Sequence, residues 1–133
     1  MAEPTVSRIL IVEDDSHISR IIQLSMPELD LPHSVDTALS AEEGLELWRA
    51  RPYDLLLTDY NLRGMNGLKL IALLKAEHAT APMILFTAYD TPQIVREARD
   101  VGVAAYLPKP FFMDDMLAVI RANLPHAERA AGG

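Results

Sequence analysis

The chain has 133 residues, half of them apolar and few aromatic, which fits one soluble domain with its own core. A net charge of −7, from 19 acids against 12 Lys plus Arg, leaves no basic stripe for direct nucleic-acid binding, so the expected partner is another protein. Zero cysteines exclude a disulfide framework, a thiolate metal site and thiol catalysis; no run approaches the ~20 apolar residues of a membrane helix, and Met1-Ala2-Glu3-Pro4 lacks signal-peptide character, so a cytoplasmic location is the default.

Short β-type runs alternate with helix-type stretches five times, the pattern of a parallel α/β sheet. Ile9-Leu10-Ile11-Val12 is the first strand. Asp15 then caps a helix with Ile18, Ile21 and Ile22 on one face, ending near Pro27. Ser34 to Ala38 is the weakest strand and is expected at an edge. Ser40 and Glu43 form a capping box ahead of Ala41, Leu45 and Trp48, and Arg51-Pro52 stops that helix. Leu55-Leu56-Leu57 lacks polar alternation, as a central strand covered on both faces should. Asn66-Gly67 opens the third helix, with Leu68, Ile71, Leu74 and Lys75 continuing it. Met83-Ile84-Leu85-Phe86 is the fourth strand. Asp90, Thr91 and Pro92 start the fourth helix, and Gly102 ends it as a left-handed cap. The fifth strand is Ala104 to Leu107. Asp114 and Asp115 start the last helix, with Met116, Leu117, Ile120 and Leu124 as its buried stripe. The predicted domain covers residues 1–125, and 126–133 reads as a disordered tail or linker stub. The expected architecture is a doubly wound, flavodoxin-like five-stranded parallel sheet of order 2-1-3-4-5 with helices on both faces.

Four of these strands end on groups suited to a cation or a phosphoryl group: Glu13-Asp14-Asp15, Asp59, Thr87-Ala88, and Lys109-Pro110 after Pro108. In the 2-1-3-4-5 order all emerge on one sheet edge, where open α/β sheets bind ligands. Clustered carboxylates repel unless a cation intervenes, and Mg²⁺ is a hard ion that takes one or two carboxylates and keeps its waters. Asp14 and Asp59 suit direct ligation, the Asn61 main-chain carbonyl adds a ligand, and Glu13 holds a coordinated water; Mn²⁺ can substitute. Asp59, central among these groups, is the expected nucleophile that captures a phosphoryl group. Thr87, the Ala88 N–H and Lys109 are placed to bind its oxygens. Singly, each has an ordinary explanation, such as a cap, a turn hydroxyl or a surface lysine. The joint pattern is far more specific. The four histidines (His17, His33, His78, His126) have no ligand spacing.

With these residues in place, the chain resembles the receiver domain of bacterial two-component response regulators, and looks closest to stand-alone chemotaxis-type regulators. The resemblance runs from Arg8 to about Leu124. It rests on Ile11-Val12-Glu13-Asp14-Asp15, Leu57-Thr58-Asp59-Tyr60-Asn61, Phe86-Thr87-Ala88 and Tyr106-Leu107-Pro108-Lys109-Pro110-Phe111. It implies that a sensor histidine kinase, a phosphotransfer protein or a small phosphodonor modifies Asp59 with Mg²⁺ present. It also implies that Thr87 then approaches the phosphate while Tyr106 rotates inward. That switch remodels the surface of the fourth helix, fifth strand and fifth helix for a downstream protein.

Arg63 stands where the family commonly has proline, Asn66 where it has aspartate, and Pro108 before the lysine is less usual. These differences leave the reacting set intact and bear on the phosphoryl lifetime, which Asn61 and Tyr89 are placed to tune. Two other classes compete with the leading reading. One is a constitutive protein-binding receiver that is rarely phosphorylated. The other is a Mg²⁺-dependent aspartyl-phosphate phosphohydrolase, disfavoured because Asn61 stands where such enzymes carry their second aspartate.

Overall fold

A computed structural model describes residues 5–88 and 91–124. Its elements are β1 (Ser7–Val12), α1 (Ser16–Ser25), a 3₁₀ turn (Met26–Leu29), β2 (His33–Ala38), α2 (Ala41–Ala50), β3 (Leu55–Asp59), α3 (Gly67–Ala76), β4 (Met83–Thr87), α4 (Pro92–Val101), β5 (Ala105–Pro108) and α5 (Met113–Asn123). The strands form one parallel sheet in the order β2-β1-β3-β4-β5, as the pattern predicts.

Strand residues alternate between two apolar layers because successive side chains point to opposite faces. Ile9 and Ile11 of β1, Leu55 and Leu57 of β3, and Ile84 and Phe86 of β4 pack with Ile22 of α1 and Met116 and Ile120 of α5. Leu10, Val12, Leu56, Met83 and Leu85 face the opposite layer, with Trp48 of α2, Ile71 of α3 and Ala98 of α4. Every residue of β3 and β4 is buried, so neither strand shows polar alternation. Burying one such side chain contributes about 2 kcal/mol.

The helices start where short polar side chains can take up free backbone N–H groups. Asp15 accepts from the His17 and Ile18 N–H groups at 2.9 and 3.4 Å. Ser40 accepts from Glu43 at 3.1 Å, while the Glu43 carboxylate reaches back to the Leu39 N–H, one residue ahead of the cap. Asn66 and Thr91 cap α3 and α4 through the Lys69 and Ile94 N–H groups. Gly102 has φ +89°, the left-handed cap expected there.

Two details differ from the sequence expectation. Ile21 is 55% exposed, because the inward row of α1 runs through Ile18, Ile22 and Met26, four residues apart, and Ile21 falls off that row. Phe112 occupies the N-cap of α5 with no side-chain hydrogen bond, so Asp114 and Asp115 sit inside the first turn, where they complement the helix dipole. The tail expected at 126–133 and the Asp90 helix start lie outside the described residues. Among the described residues no helix is long and apolar enough to cross a membrane.

Candidate functional site

The register of the central strands sets the site. Val12 pairs with Thr58, Asp59 with Phe86, and Thr87 with Pro108, so Glu13, Asp59, Thr87 and Lys109 leave the sheet at neighbouring points on its carboxyl edge. Backbone bonds hold these exits: Glu13 N–H donates to the Ala38 carbonyl at 3.0 Å, Tyr60 to Phe86 at 2.9 Å and Lys109 to Thr87 at 2.7 Å. The Lys109–Pro110 peptide is cis, and the Lys109 ammonium lies 5.3 Å from the centre of the Phe86 ring.

Asp59 is almost fully buried and is contacted on both oxygens. Oδ2 accepts from Lys109 Nζ at 3.0 Å, and Oδ1 from the Asn61 N–H at 3.3 Å. Lys109 also reaches Glu13 Oε1 at 3.4 Å. Carboxylate oxygens of Glu13, Asp14 and Asp59 all lie within 4.8 Å of one another. Burial pushes the Glu13 carboxyl up to about 8, reinforced by the neighbouring Asp59 carboxylate, with Lys109 offsetting only part. For Lys109 burial favours the neutral form, but the hydrogen bond and charge of Asp59, with Glu13 behind, hold it above its ordinary value.

One ammonium therefore faces three carboxyl groups, and the buried Glu13 Oε2 has no hydrogen-bond partner. A fully buried, unpartnered acid oxygen beside two further acids fits a hard divalent cation with oxygen ligands. Thr87 is fully buried at the end of β4, Ala88 is exposed beyond it, and Tyr106 is half-buried in β5. Tyr89 lies outside the described residues. Beside Lys109 opens a groove of about 380 Å³ whose walls include Ile18, Ile21, Phe111 and Met113.

Two contributors escape the sequence reading. A Cβ on Gly67 would lie 2.1 Å from the Asp59 carbonyl oxygen, so only glycine lets α3 start against the backbone of Asp59. A glycine at a helix's first position, where alanine is the better helix former, is the signal that could have found it. Glu42, on α2, accepts the Met65 N–H at 3.1 Å, a contact spanning 23 residues with no local signature.

Comparison with known proteins agrees with this geometry. Residues 9–121 match the family model of the response regulator receiver domain. The chain is 38% identical over 117 residues to YkoG of Bacillus subtilis, an uncharacterized transcriptional regulatory protein, covering 87% of this chain and 50% of that protein. It is 32% identical over 119 residues to the response regulator ArlR of Staphylococcus aureus, covering 90% of this chain and 53% of ArlR. The chain thus spans about half the length of the curated relatives it matches. Among solved structures, a CheY-like receiver domain protein from Methanospirillum hungatei superimposes with a TM-score of 0.84 at 27% identity, over 95% of this chain and 99% of that one. The family match takes in the ends of β1, β3, β4 and β5, where the acids, the threonine and the lysine converge, and the chain belongs to the response regulator receiver domains of two-component systems.

Proposed function

We propose that this receiver accepts a phosphoryl group on Asp59 in a Mg²⁺-dependent reaction and then switches its α4-β5-α5 surface to bind a downstream protein. Receivers are signalling domains rather than classical enzymes, and they work with histidine kinases or phosphotransfer proteins. The reading rests above all on one observation: the Lys109 ammonium sits 3.0 Å from an Asp59 carboxylate that also lies within a cluster of three acids.

In the proposed transfer an Asp59 carboxylate oxygen attacks phosphorus. The new P–O bond forms as the bond from phosphorus to the donor's imidazole nitrogen breaks, and that nitrogen keeps the electron pair and takes up a proton. Acetyl phosphate reacts in the same way with acetate leaving. A carboxylate nucleophile needs no general base. Asp14, Asp59 and the Asn61 main-chain carbonyl would hold Mg²⁺ or Mn²⁺, with Glu13 binding through a water. When bound, the cation neutralises the acids and the phosphoryl oxygens. Lys109 supplies the protein's own positive charge, and the Thr87 hydroxyl and Ala88 N–H bind the remaining oxygens. The apolar groove beside Lys109 gives a donor protein a surface to dock on next to the nucleophile. Asn61 and Tyr89, two positions beyond Asp59 and Thr87 respectively in the sequence, are assigned the tuning of the phosphoryl lifetime.

The added charge of about −1.5 to −2 gives Thr87 a new hydrogen-bond partner. Movement of Thr87 leaves room for Tyr106, which passes the change to α4 and α5. The test is intact mass after incubation with Mg²⁺ and acetyl phosphate. Gain of one phosphoryl group by the wild type and none by Asp59→Asn is expected. Equal gain by both would refute the assignment.

A further inference from the structure

The loop from β3 to α3, residues 60–66, follows directly on the proposed acceptor and carries the Asn61 carbonyl assigned to the cation. It contains no proline. At one end Leu62 is buried in the core layer, and at the other Asn66 caps α3. Between them Arg63 and Gly64 are exposed, and Gly64 turns the chain with φ +74°. At this turn the Glu42 carboxylate accepts the Met65 N–H at 3.1 Å. A Cβ on Gly64 would lie 3.1 Å from the same Glu42 oxygen, so the turn rests directly on the carboxylate.

Glu42 is itself well anchored. Ser40 and Glu43 satisfy the start of α2, which leaves the Glu42 side chain available to the loop. Gly44 lets that first turn approach β1 closely, since a Cβ there would lie 2.9 Å from Val12 Cγ2, and Val12 immediately precedes Glu13. One helical turn therefore touches both the strand that carries Glu13 and the loop that carries Asn61. We infer that Glu42 is a positioning residue: its carboxylate straps the loop after Asp59 to α2 and so sets where the Asn61 carbonyl stands. The inference rests on the reading of Asp59 as phosphoryl acceptor with a cation beside it.

A different role would be that of a first-turn acid complementing the helix dipole. The two roles separate cleanly. Glutamine keeps an acceptor oxygen for the Met65 N–H but loses the charge, whereas alanine loses both. The experiment compares wild type, Glu42→Gln and Glu42→Ala by three readouts: hydrogen exchange at the Met65 amide without cation, Mg²⁺ affinity by calorimetry, and phosphoryl decay by intact mass after acetyl phosphate is removed. Glu42→Ala is expected to speed Met65 exchange, weaken Mg²⁺ binding about three- to tenfold and shorten the phosphoryl half-life by a similar factor, as loss of one modest hydrogen bond would. Glu42→Gln is expected to stay near wild type. Equal behaviour of all three proteins, or of the two variants, would overturn the strap. A wild type that takes up no phosphoryl group would overturn the receiver reading beneath it.

Discussion

Both edges of the sheet carry charged networks, but they are built on different terms. At the amino edge Arg8 lies 4.3 Å from the Tyr53 ring centre and donates to the Arg51 and Pro52 carbonyls. The Tyr53 hydroxyl donates to Asp36 at 2.7 Å, and Asp54 accepts the Arg8 N–H at 2.8 Å. Burial and then Asp36 push the Tyr53 hydroxyl up to about 12, which keeps it a neutral donor. The buried Ser7 hydroxyl lacks a partner there, but it carries no charge. Nearby, Arg49 and Glu77 pair at 2.6 Å on the rim of a cavity of about 600 Å³, more than the groove beside Lys109 holds. At the carboxyl edge one lysine faces three acids, and a buried carboxylate oxygen is left over. At the amino edge each of these charged groups has a partner. At the carboxyl edge a buried acid oxygen has none, which suits a cation, and this site lies away from the larger cavity.

The contrast breaks most readily at Lys109. Lys109→Ala is expected to slow phosphoryl uptake from acetyl phosphate about a hundredfold, by removing a preorganised charge from the reacting oxygens. Uptake at the wild-type rate would place the positive charge elsewhere. Gly67→Ala comes next. The added carbon meets backbone rather than a flexible side chain, so a loss of about 1–3 kcal/mol in urea denaturation is expected together with slower uptake.

Glu13 gives the contrast a pH signature. Its folded value of about 8 lies above the ordinary 4.5, so between these values the folded state holds a proton that the unfolded chain releases. Without divalent cation, stability is expected to be fullest below about pH 4.5, as far as this group is concerned, and to fall as pH rises through 8. Glu13→Gln should flatten that slope, as urea midpoints in chelator across this range would reveal. A slope unchanged by the substitution would contradict the assignment. The smallest effects belong to the amino edge. Tyr53→Phe should cost about 0.5–1.5 kcal/mol and leave uptake unchanged. Arg49→Ala should leave both unchanged, since its ion pair is open to solvent.

Most of this difference could be read before the fold was known, because strand-ending groups are a local signal. Asp59 follows Leu55-Leu56-Leu57-Thr58 and Thr87 follows Met83 to Phe86, and parallel strands bring such endings together whatever the loops do. β2 was legible only weakly, since its exposure alternates and an edge strand needs few apolar residues. Ile21 was misplaced because helical spacing leaves the border of an apolar face undecided. Glu42 and the tie to Met65 left no mark at all: a first-turn glutamate looks like any other until the loop from another strand lies against it. Gly67 carried a faint mark, but only the approach of Asp59 explains it.

The most direct test of the account maps the modified residue. Protein treated with acetyl phosphate and Mg²⁺ would be reduced with borohydride, which converts an aspartyl phosphate to homoserine, and its peptides analysed by mass. The account predicts homoserine at position 59, with Glu13 and Asp14 unchanged. Reduction at position 14, or a phosphoryl group on a hydroxyl that borohydride leaves intact, would contradict it.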